Sequence, residues 1–207
     1  MIHPPTEPRG QPAPILPGLP TDPRRWAGEV ARIVVLVAVL FLVISTFVGQ
    51  PFDVHQVSME PTLAAGDHLL IDKLSPRWSP YVRGDIIVFH APDPYGADGI
   101  PYVKRIVGMP GDTVQIENGR IYVAATGDPP TRLAEPYVAD GEATLAQGAQ
   151  GRIAWTIPDD AYFVLGDNRS DSVDSRTFGA IPRDRIIGRA WLRYLPFDRM
   201  AILRDTE

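Results

Sequence analysis

Two residues of the chain, Ser58 and Lys104, could together perform nucleophilic catalysis. Ser58 begins the turn sequence Ser-Met-Glu-Pro, where a hydroxyl and nearby backbone N–H groups would be free. A serine hydroxyl is a weak nucleophile until a base removes its proton. Lys104 lies in the apolar run Tyr102–Val107, where burial without a carboxylate partner would lower its pKa from about 10.4. Taken singly, such a serine is more often a turn or capping residue, and such a lysine is more often solvated.

Other residues fit the role of base less well. His55 is close to Ser58 in sequence, but in the expected strand Asp53–Val57 residues three apart point to opposite faces. Lys73 is the rival lysine, and it stands at a strand end where solvent exposure is expected. The remaining histidines lie in an N-terminal Pro-rich segment or in strand-like runs, where a structural role is favoured: His3, His68 and His90.

Composition excludes several classes of function. The chain has 207 residues and no cysteine, so disulfides, thiol catalysis and cysteine-based metal sites are excluded. This also excludes the transpeptidases that process exported proteins with a catalytic cysteine. A net charge of −5 gives no indication of nucleic-acid binding. We expect no metal, no other cofactor and no nucleic-acid partner.

One apolar run near the N-terminus indicates a membrane anchor. Residues Ile33 to Val48 carry no charge, and the length of this run is near the lower limit for a spanning helix. The alternatives are a buried core helix and a cleavable secretory signal, and the run has neither an amphipathic face nor a following Ala-x-Ala. Three arginines flank the run on its N-terminal side, Arg24, Arg25 and Arg32, so the positive-inside rule predicts a cytoplasmic N-terminus.

The domain organisation follows from this anchor. We predict a disordered, Pro-rich cytoplasmic tail over residues 1–29, because eight prolines fall within residues 4 to 23. A single-pass transmembrane anchor is predicted over residues 30–49, in contact with membrane lipid. An extracytoplasmic domain is predicted over residues 50–207, with a loop or small insertion at 125–150.

The pattern after the anchor predicts a mainly β fold with Greek-key or barrel-like closure. Short runs rich in Val, Ile, Tyr and Phe are bounded by Gly, Pro and Asp. Asn118-Gly119 suits a two-residue hairpin turn between two of them. The predicted strands are Asp53–Val57, His68–Lys73, Asp85–His90, Tyr102–Val107, Thr113–Glu117, Arg120–Ala124, Arg152–Ile157, Ala161–Leu165 and Arg185–Tyr194.

Four segments, in order and after an anchor, resemble the sequence boxes of bacterial type I signal peptidases. They are Ser58 to Leu63, Arg83 to Phe89, Tyr102 to Asp112, and Gly166 to Arg176. The resemblance extends from about residue 30 to about residue 195. It implies a serine endopeptidase at the plasma membrane that removes signal peptides from exported preproteins.

The resemblance also implies roles for individual residues. Ser58 would attack the peptide carbonyl, Lys104 would be its general base, and the Ser172 hydroxyl would orient the lysine amine. Four charged residues would brace the site through ion pairs: Arg105, Asp167, Asp174 and Arg176. Five would line shallow apolar pockets for small residues such as those of Ala-x-Ala: Val54, Met59, Leu63, Tyr102 and Val103.

Position 56 departs from the family pattern. Related peptidases commonly have Ser, Thr or Gly there, and a small hydroxyl can help to bind the oxyanion. Here the residue is Gln56. The backbone N–H of Ser58 remains available as one donor, while the second could come from the Gln56 amide or be missing.

Two other functions fit parts of the sequence. A self-cleaving repressor-type Ser/Lys peptidase would need an N-terminal DNA-binding helical domain, and a Pro-rich segment and an apolar run stand there instead. A membrane-tethered β-domain that only binds partners would not require both Ser58 and Lys104.

Overall fold

The computed structural model describes residues 23–43, 49–147 and 151–203 of the chain. Within these ranges the α-helices are Pro23–Val43 (α1) and Ser175–Phe178 (α2). The strands are Gly49–Asp53 (β1), His68–Asp72 (β2), Ile86–Phe89 (β3), Tyr102–Gly108 (β4), Thr113–Glu117 (β5), Arg120–Ala124 (β6), Thr131–Arg132 (β7), Ala154–Thr156 (β8), Ala161–Leu165 (β9), Ile181–Pro182 (β10), Ile186–Leu195 (β11) and Ala201–Ile202 (β12).

The chain divides into two units, one that holds α1 and one that holds all of these strands. From Trp26 to Leu42 the side chains of α1 are exposed. In the described residues no helix combines the length and apolar character that crossing a bilayer requires. Most of the predicted tail, residues 1–22, and residues 44–48 of the predicted anchor lie outside the described residues.

The β-rich unit contains two antiparallel sheets. In the larger sheet the strands follow the order β1-β2-β11-β3-β4-β9-β10, and β12 pairs with β11. The smaller sheet has the order β7-β6-β5-β8. The mainly β class is therefore confirmed. Among the described strands, β1 and β10 stand at the two ends of the larger sheet and do not pair with each other. The sheet is therefore open, and the expected barrel-like closure is not completed by hydrogen bonds between its edge strands.

Alternation along the central strands gives the larger sheet two buried faces. On β3, Ile86 and Val88 pack in one apolar cluster, while Ile87 and Phe89 pack in another. This follows from the two-residue period of a strand, which sends successive side chains to opposite faces. A third cluster joins the two sheets through residues such as Val107, Val114 and Phe163. The polar side chains of Lys104 and Arg105 on β4 are consequently buried.

Most predicted strands match the structure to within one or two residues at each end, and the Asn118-Gly119 turn is confirmed. These two residues have φ values of 49° and 73°, the left-handed pair that a tight hairpin needs. The predicted strand Asp53–Val57 is wrong, because the first strand is β1 and ends at Asp53. Pro51 lies inside β1, which is possible because β1 is an edge strand paired only with β2.

Candidate active site

Ser58 lies in the turn that follows β1, and the loop after β9 holds that turn in place. The backbone N–H of Asn168 donates to the Ser58 carbonyl at 3.1 Å. The Asn168 side-chain amide donates to the carbonyl of Val57 at 3.3 Å. Ser58 itself is 5% exposed. The nucleophile candidate is thus positioned by a segment more than 100 residues away, since Val57 and Asn168 are 111 apart in sequence.

Lys104 lies on β4, between β3 and β9, and its amine meets Ser58. Its Nζ is 2.6 Å from Ser58 Oγ and donates to the Val103 carbonyl at 3.0 Å. The Tyr102 ring lies on the same side, with its centroid 5.3 Å from Nζ. The lysine is completely buried. The two residues that the sequence singled out are therefore in hydrogen-bond contact.

Burial lowers the pKa of Lys104 to about 8, because the charged amine has lost its water. The carboxylates of Asp174 and Asp167 act in the opposite direction and raise the pKa, and Arg176 lowers it slightly. Loss of hydration is the largest of these effects. The amine can consequently give up its proton much closer to neutral pH than a solvated lysine.

Arg105, the next residue along β4, points to the opposite face and forms a buried ion pair. Its Nε and Nη2 reach the two carboxylate oxygens of Asp167 at 2.8 and 2.7 Å, and Nη1 donates to the Gly84 carbonyl. Such two-point pairing fixes both side chains in one orientation. It ties β4 to the loop that carries Asn168, and so indirectly to the turn of Ser58.

A second buried ion pair joins Asp174 and Arg176. Arg176 Nη2 lies 2.7 Å from Asp174 Oδ2, and both side chains are fully buried. Asp174 also caps α2 by accepting from the Arg176 backbone, and it accepts from the backbone N–H of Gly166. The ion pairs expected from the resemblance are present, while their role in bracing the site stays a prediction.

Ser172 is buried next to Ser58, but it does not form a hydrogen bond with the lysine amine. Within the described residues its Oγ has no hydrogen-bond partner. A Cβ built on Gly166 would collide with this Oγ and with the Ser58 carbonyl, so the three groups are closely packed. The hydrogen bond from Ser172 to Lys104 that the resemblance implies is not formed in this structure.

Residues 133–147, which we call the strap, contact the bracing groups from outside the sheet. Glu135 pairs with the buried Arg169, and Arg169 in turn donates to the Gly166 carbonyl at 3.0 Å. The ring of Tyr137 stacks on Arg105, with the guanidinium carbon 4.0 Å from its centroid. Sequence reasoning missed these contacts. Arg169 stands inside the last box, but nothing in the Ala-rich strap marks Glu135 or Tyr137 as partners.

The predicted pocket residues differ in their surroundings. Four of them are almost inaccessible and share one apolar cluster beside Ser58: Val54, Met59, Leu63 and Val103. Tyr102 is half-buried and packs at the edge of another cluster. Gln56 is exposed. Their roles in binding substrate and the oxyanion stay predictions.

Rival bases lie elsewhere. His55 and His90 are exposed, and His68 Nδ1 is 2.6 Å from Asp53. The Lys73 amine reaches Gln50 at 3.4 Å. In the part of the chain that the structure describes, no three His, Asp or Glu side chains are grouped so that they could hold a metal ion.

A serine beside a buried lysine of lowered pKa fits the class of serine hydrolases that use lysine as a base. Comparison with known proteins agrees with this class. The family model described as signal peptidase, peptidase S26, matches residues 27–195. The chain therefore belongs to the signal peptidase family S26, and it is a serine endopeptidase of the signal peptidase I type.

Individual relatives are similar over most of their length. A probable signal peptidase I-2 from Synechocystis sp. is 37% identical, over 86% of this chain and 77% of the relative. A signal peptidase I from Bacillus licheniformis is 31% identical, over 90% and 97%. A solved signal peptidase I from Enterococcus faecalis V583 is 30% identical and covers 54% of this chain and 97% of its own, with a TM-score of 0.42.

Proposed function

We propose that this protein removes N-terminal signal peptides from exported preproteins, with Ser58 as nucleophile and Lys104 as general base. The observation that carries the proposal is the 2.6 Å contact between the buried Lys104 Nζ and Ser58 Oγ. The neutral amine takes the hydroxyl proton as Oγ attacks the peptide carbonyl. The resulting ammonium then gives that proton to the departing amine, and water later hydrolyses the acyl-enzyme.

The pKa of Lys104 makes this role possible at physiological pH. With a pKa of about 8, roughly one amine in ten is neutral at pH 7, against roughly one in three thousand for an ordinary lysine. Burial thus raises the population of the active form by about 300-fold. The backbone N–H of Ser58 supplies one oxyanion donor, and the Gln56 amide is our candidate for the second.

The substrate class agrees with a position at the outer face of the membrane. We propose that residues 30–49 anchor the protein, that residues 1–29 are cytoplasmic, and that residues 50–207 are extracytoplasmic. The uncharged run Ile33–Val48 and the arginines before it support this orientation. An anchor of this kind keeps the enzyme in the layer where signal peptides end.

The decisive experiment is cleavage of a purified preprotein by the full-length protein in non-ionic detergent, followed by sequencing of the new N-terminus. We expect one cut after a small residue, as in Ala-x-Ala. Ser58→Ala and Lys104→Arg should abolish it, since arginine keeps its proton at any working pH. Lys73→Ala is the matched control and should cleave normally. Near-normal turnover by folded Ser58→Ala, or loss with Lys73→Ala but not with Lys104→Arg, would contradict the assignment.

A further inference from the structure

A pocket of about 260 Å³ on the β-rich unit is lined by three cationic side chains and no acidic one. We call it the cationic pocket. Its cations are Lys73, Arg77 and Arg183, and it also includes Tyr81 and the apolar side chains of Ile186 and Ile187. It lies outside the Ser58 site.

The three cations have no carboxylate partner among the described residues, unlike most arginines of this unit. The Lys73 amine reaches only the neutral side chain of Gln50, and Arg183 donates to the Pro76 carbonyl at 3.1 Å. By contrast, the nearby Arg189 is paired with Asp85 at 2.8 Å. No carboxylate lines this cavity, although Asp72 lines the adjoining groove, so an anion that enters the cavity would meet three positive charges and be stabilised.

An apolar groove adjoins the cationic pocket along the chain. This groove, of about 300 Å³, is lined by residues that include Gly49, Leu70, Leu74, Trp78 and Trp191. Trp78 is 69% exposed and Trp191 is 42% exposed, which is unusual for side chains of this size. Residues 73–78 and strand β11 each contribute to both the pocket and the groove. The surface therefore offers an anion site and an apolar site side by side.

The sequence places this surface close to the proposed anchor. Gly49 lines the groove and directly follows Val48, the last residue of the apolar run. Gln50, which contacts Lys73, is two residues past Val48, so covalent geometry keeps it within about 7 Å of the end of that run. If the run ends at the bilayer surface, as the proposed function requires, then the pocket and the groove lie at that surface too.

We propose that the cationic pocket binds the phosphate of an anionic phospholipid headgroup while the adjoining groove takes part of its apolar portion. An amphiphile with a phosphate matches both halves of the surface, whereas a free phosphate matches only the pocket. The tryptophans suit the interface between headgroup and acyl chain. The proposal rests on the proposed anchor, and it assigns Lys73, Arg77 and Arg183 to lipid binding rather than to cleavage.

The chain has a built-in reporter for this proposal, because Lys73 and Lys104 are its only lysines. The full-length protein, with ¹³C-labelled lysine and in non-ionic detergent, gives two lysine Cε signals, which a Lys104→Arg variant assigns. The protein is titrated with dihexanoyl-phosphatidylglycerol, with dihexanoyl-phosphatidylcholine, and with inorganic phosphate. We expect the Lys73 signal to shift saturably with phosphatidylglycerol, and at much higher concentration with the other two.

Charge variants test the assignment of the arginines. A cation near an anionic lipid improves affinity about fivefold, so Arg77→Gln/Arg183→Gln should weaken phosphatidylglycerol binding roughly 25-fold. The matched control is Arg120→Gln/Arg132→Gln, which removes two exposed arginines of the smaller sheet and should leave the affinity within about twofold.

Several outcomes would overturn the proposal. These are no Lys73 shift, an equal response to phosphatidylcholine, an equal loss in the control variant, or binding of inorganic phosphate as tight as that of phosphatidylglycerol. The last result would make the pocket a free-phosphate site. Cleavage of a preprotein in detergent, measured on the same samples, tests the proposed function separately. Wild-type protein that binds the lipid but does not cleave the preprotein would refute the proposed function without contradicting the lipid site.

Discussion

Replacing Lys104 by methionine should abolish cleavage and at the same time make the protein more stable at neutral pH. Methionine fills a similar volume without a charge. The wild-type amine is protonated at pH 7 in about nine molecules of ten, given a pKa of about 8. Each of those molecules holds a buried ammonium, which costs free energy of folding.

The size of this cost follows from the two pKa values. The folded pKa of about 8 lies below the ordinary value of 10.5, so the unfolded chain binds more protons between these two pH values. Wild-type stability should therefore rise with pH through this window. From pH 7 to pH 10 the rise due to this one group is about 2 to 3 kcal/mol. The methionine variant lacks the group and should not show the rise.

The assay is urea unfolding of full-length wild-type and Lys104→Met proteins in the same detergent, followed by tryptophan fluorescence at pH 7, 8.5 and 10. Burial raises the pKa of Tyr81 to about 12 and raises that of Tyr137 as well, but those tyrosines are present in both proteins. Their effects cancel in the difference between the two unfolding free energies. Loss of the hydrogen bonds to Ser58 and Val103 shifts that difference by an amount that changes little with pH.

The difference in unfolding free energy should thus favour the variant at pH 7 and change in favour of the wild type by about 2 to 3 kcal/mol at pH 10. Parallel stability curves for the two proteins would mean that Lys104 has an ordinary pKa in the folded protein. That result would refute the argument that burial prepares this lysine to act as a base.

Further predictions concern rate, packing and topology. The rate of preprotein cleavage by the wild type should rise with pH through an apparent pKa of about 8, which is that of Lys104. A rise in the rate near pH 6.5 that disappears when His55 is replaced would instead indicate a histidine base. Glu135→Gln should cost about 3 kcal/mol in urea unfolding because it leaves the buried Arg169 without its anion. Glu117→Gln, at an exposed position on β5, should cost less than about 1 kcal/mol, and equal costs would show that the strap pair is not needed. Protease added to intact spheroplasts should digest the β-rich unit and spare the Pro-rich segment, and the reverse pattern would overturn the proposed orientation.

The sequence was most informative where local chemistry decides the structure. The Asn118-Gly119 turn could be predicted because few other pairs accept two left-handed residues in succession. The strands of the central sheet could be predicted because their alternating or continuous apolar character has no helical period. The first strand was misplaced, because Gly49 and Pro51 suggest a break and only the position of β1 at the sheet edge makes them acceptable.

Long-range contacts could not be read from local patterns. Ser58 and Lys104 were paired by resemblance to a family, and their separation of 46 residues carries no local signal. The strap shows the same limit more strongly. Glu135 and Tyr137 stand in this Ala-rich stretch without a local signal, and their contacts with Arg169 and Arg105 depend on long-range packing of the chain.

The two buried ion pairs have an effect on Lys104 that at first opposes its function. Asp167 and Asp174 both raise the pKa of the amine, while catalysis favours a lower value. Each carboxylate, however, is bound at two points by an arginine, Arg105 or Arg176, so most of its field is compensated close by. The paired carboxylates can therefore hold Gly166 and the Ser58 turn in place while raising the pKa of Lys104 less than unpaired carboxylates would. Arg176 itself lowers the pKa of Lys104. We therefore predict that Arg176→Gln raises this pKa, which would appear as an upward shift in the pH dependence of the cleavage rate.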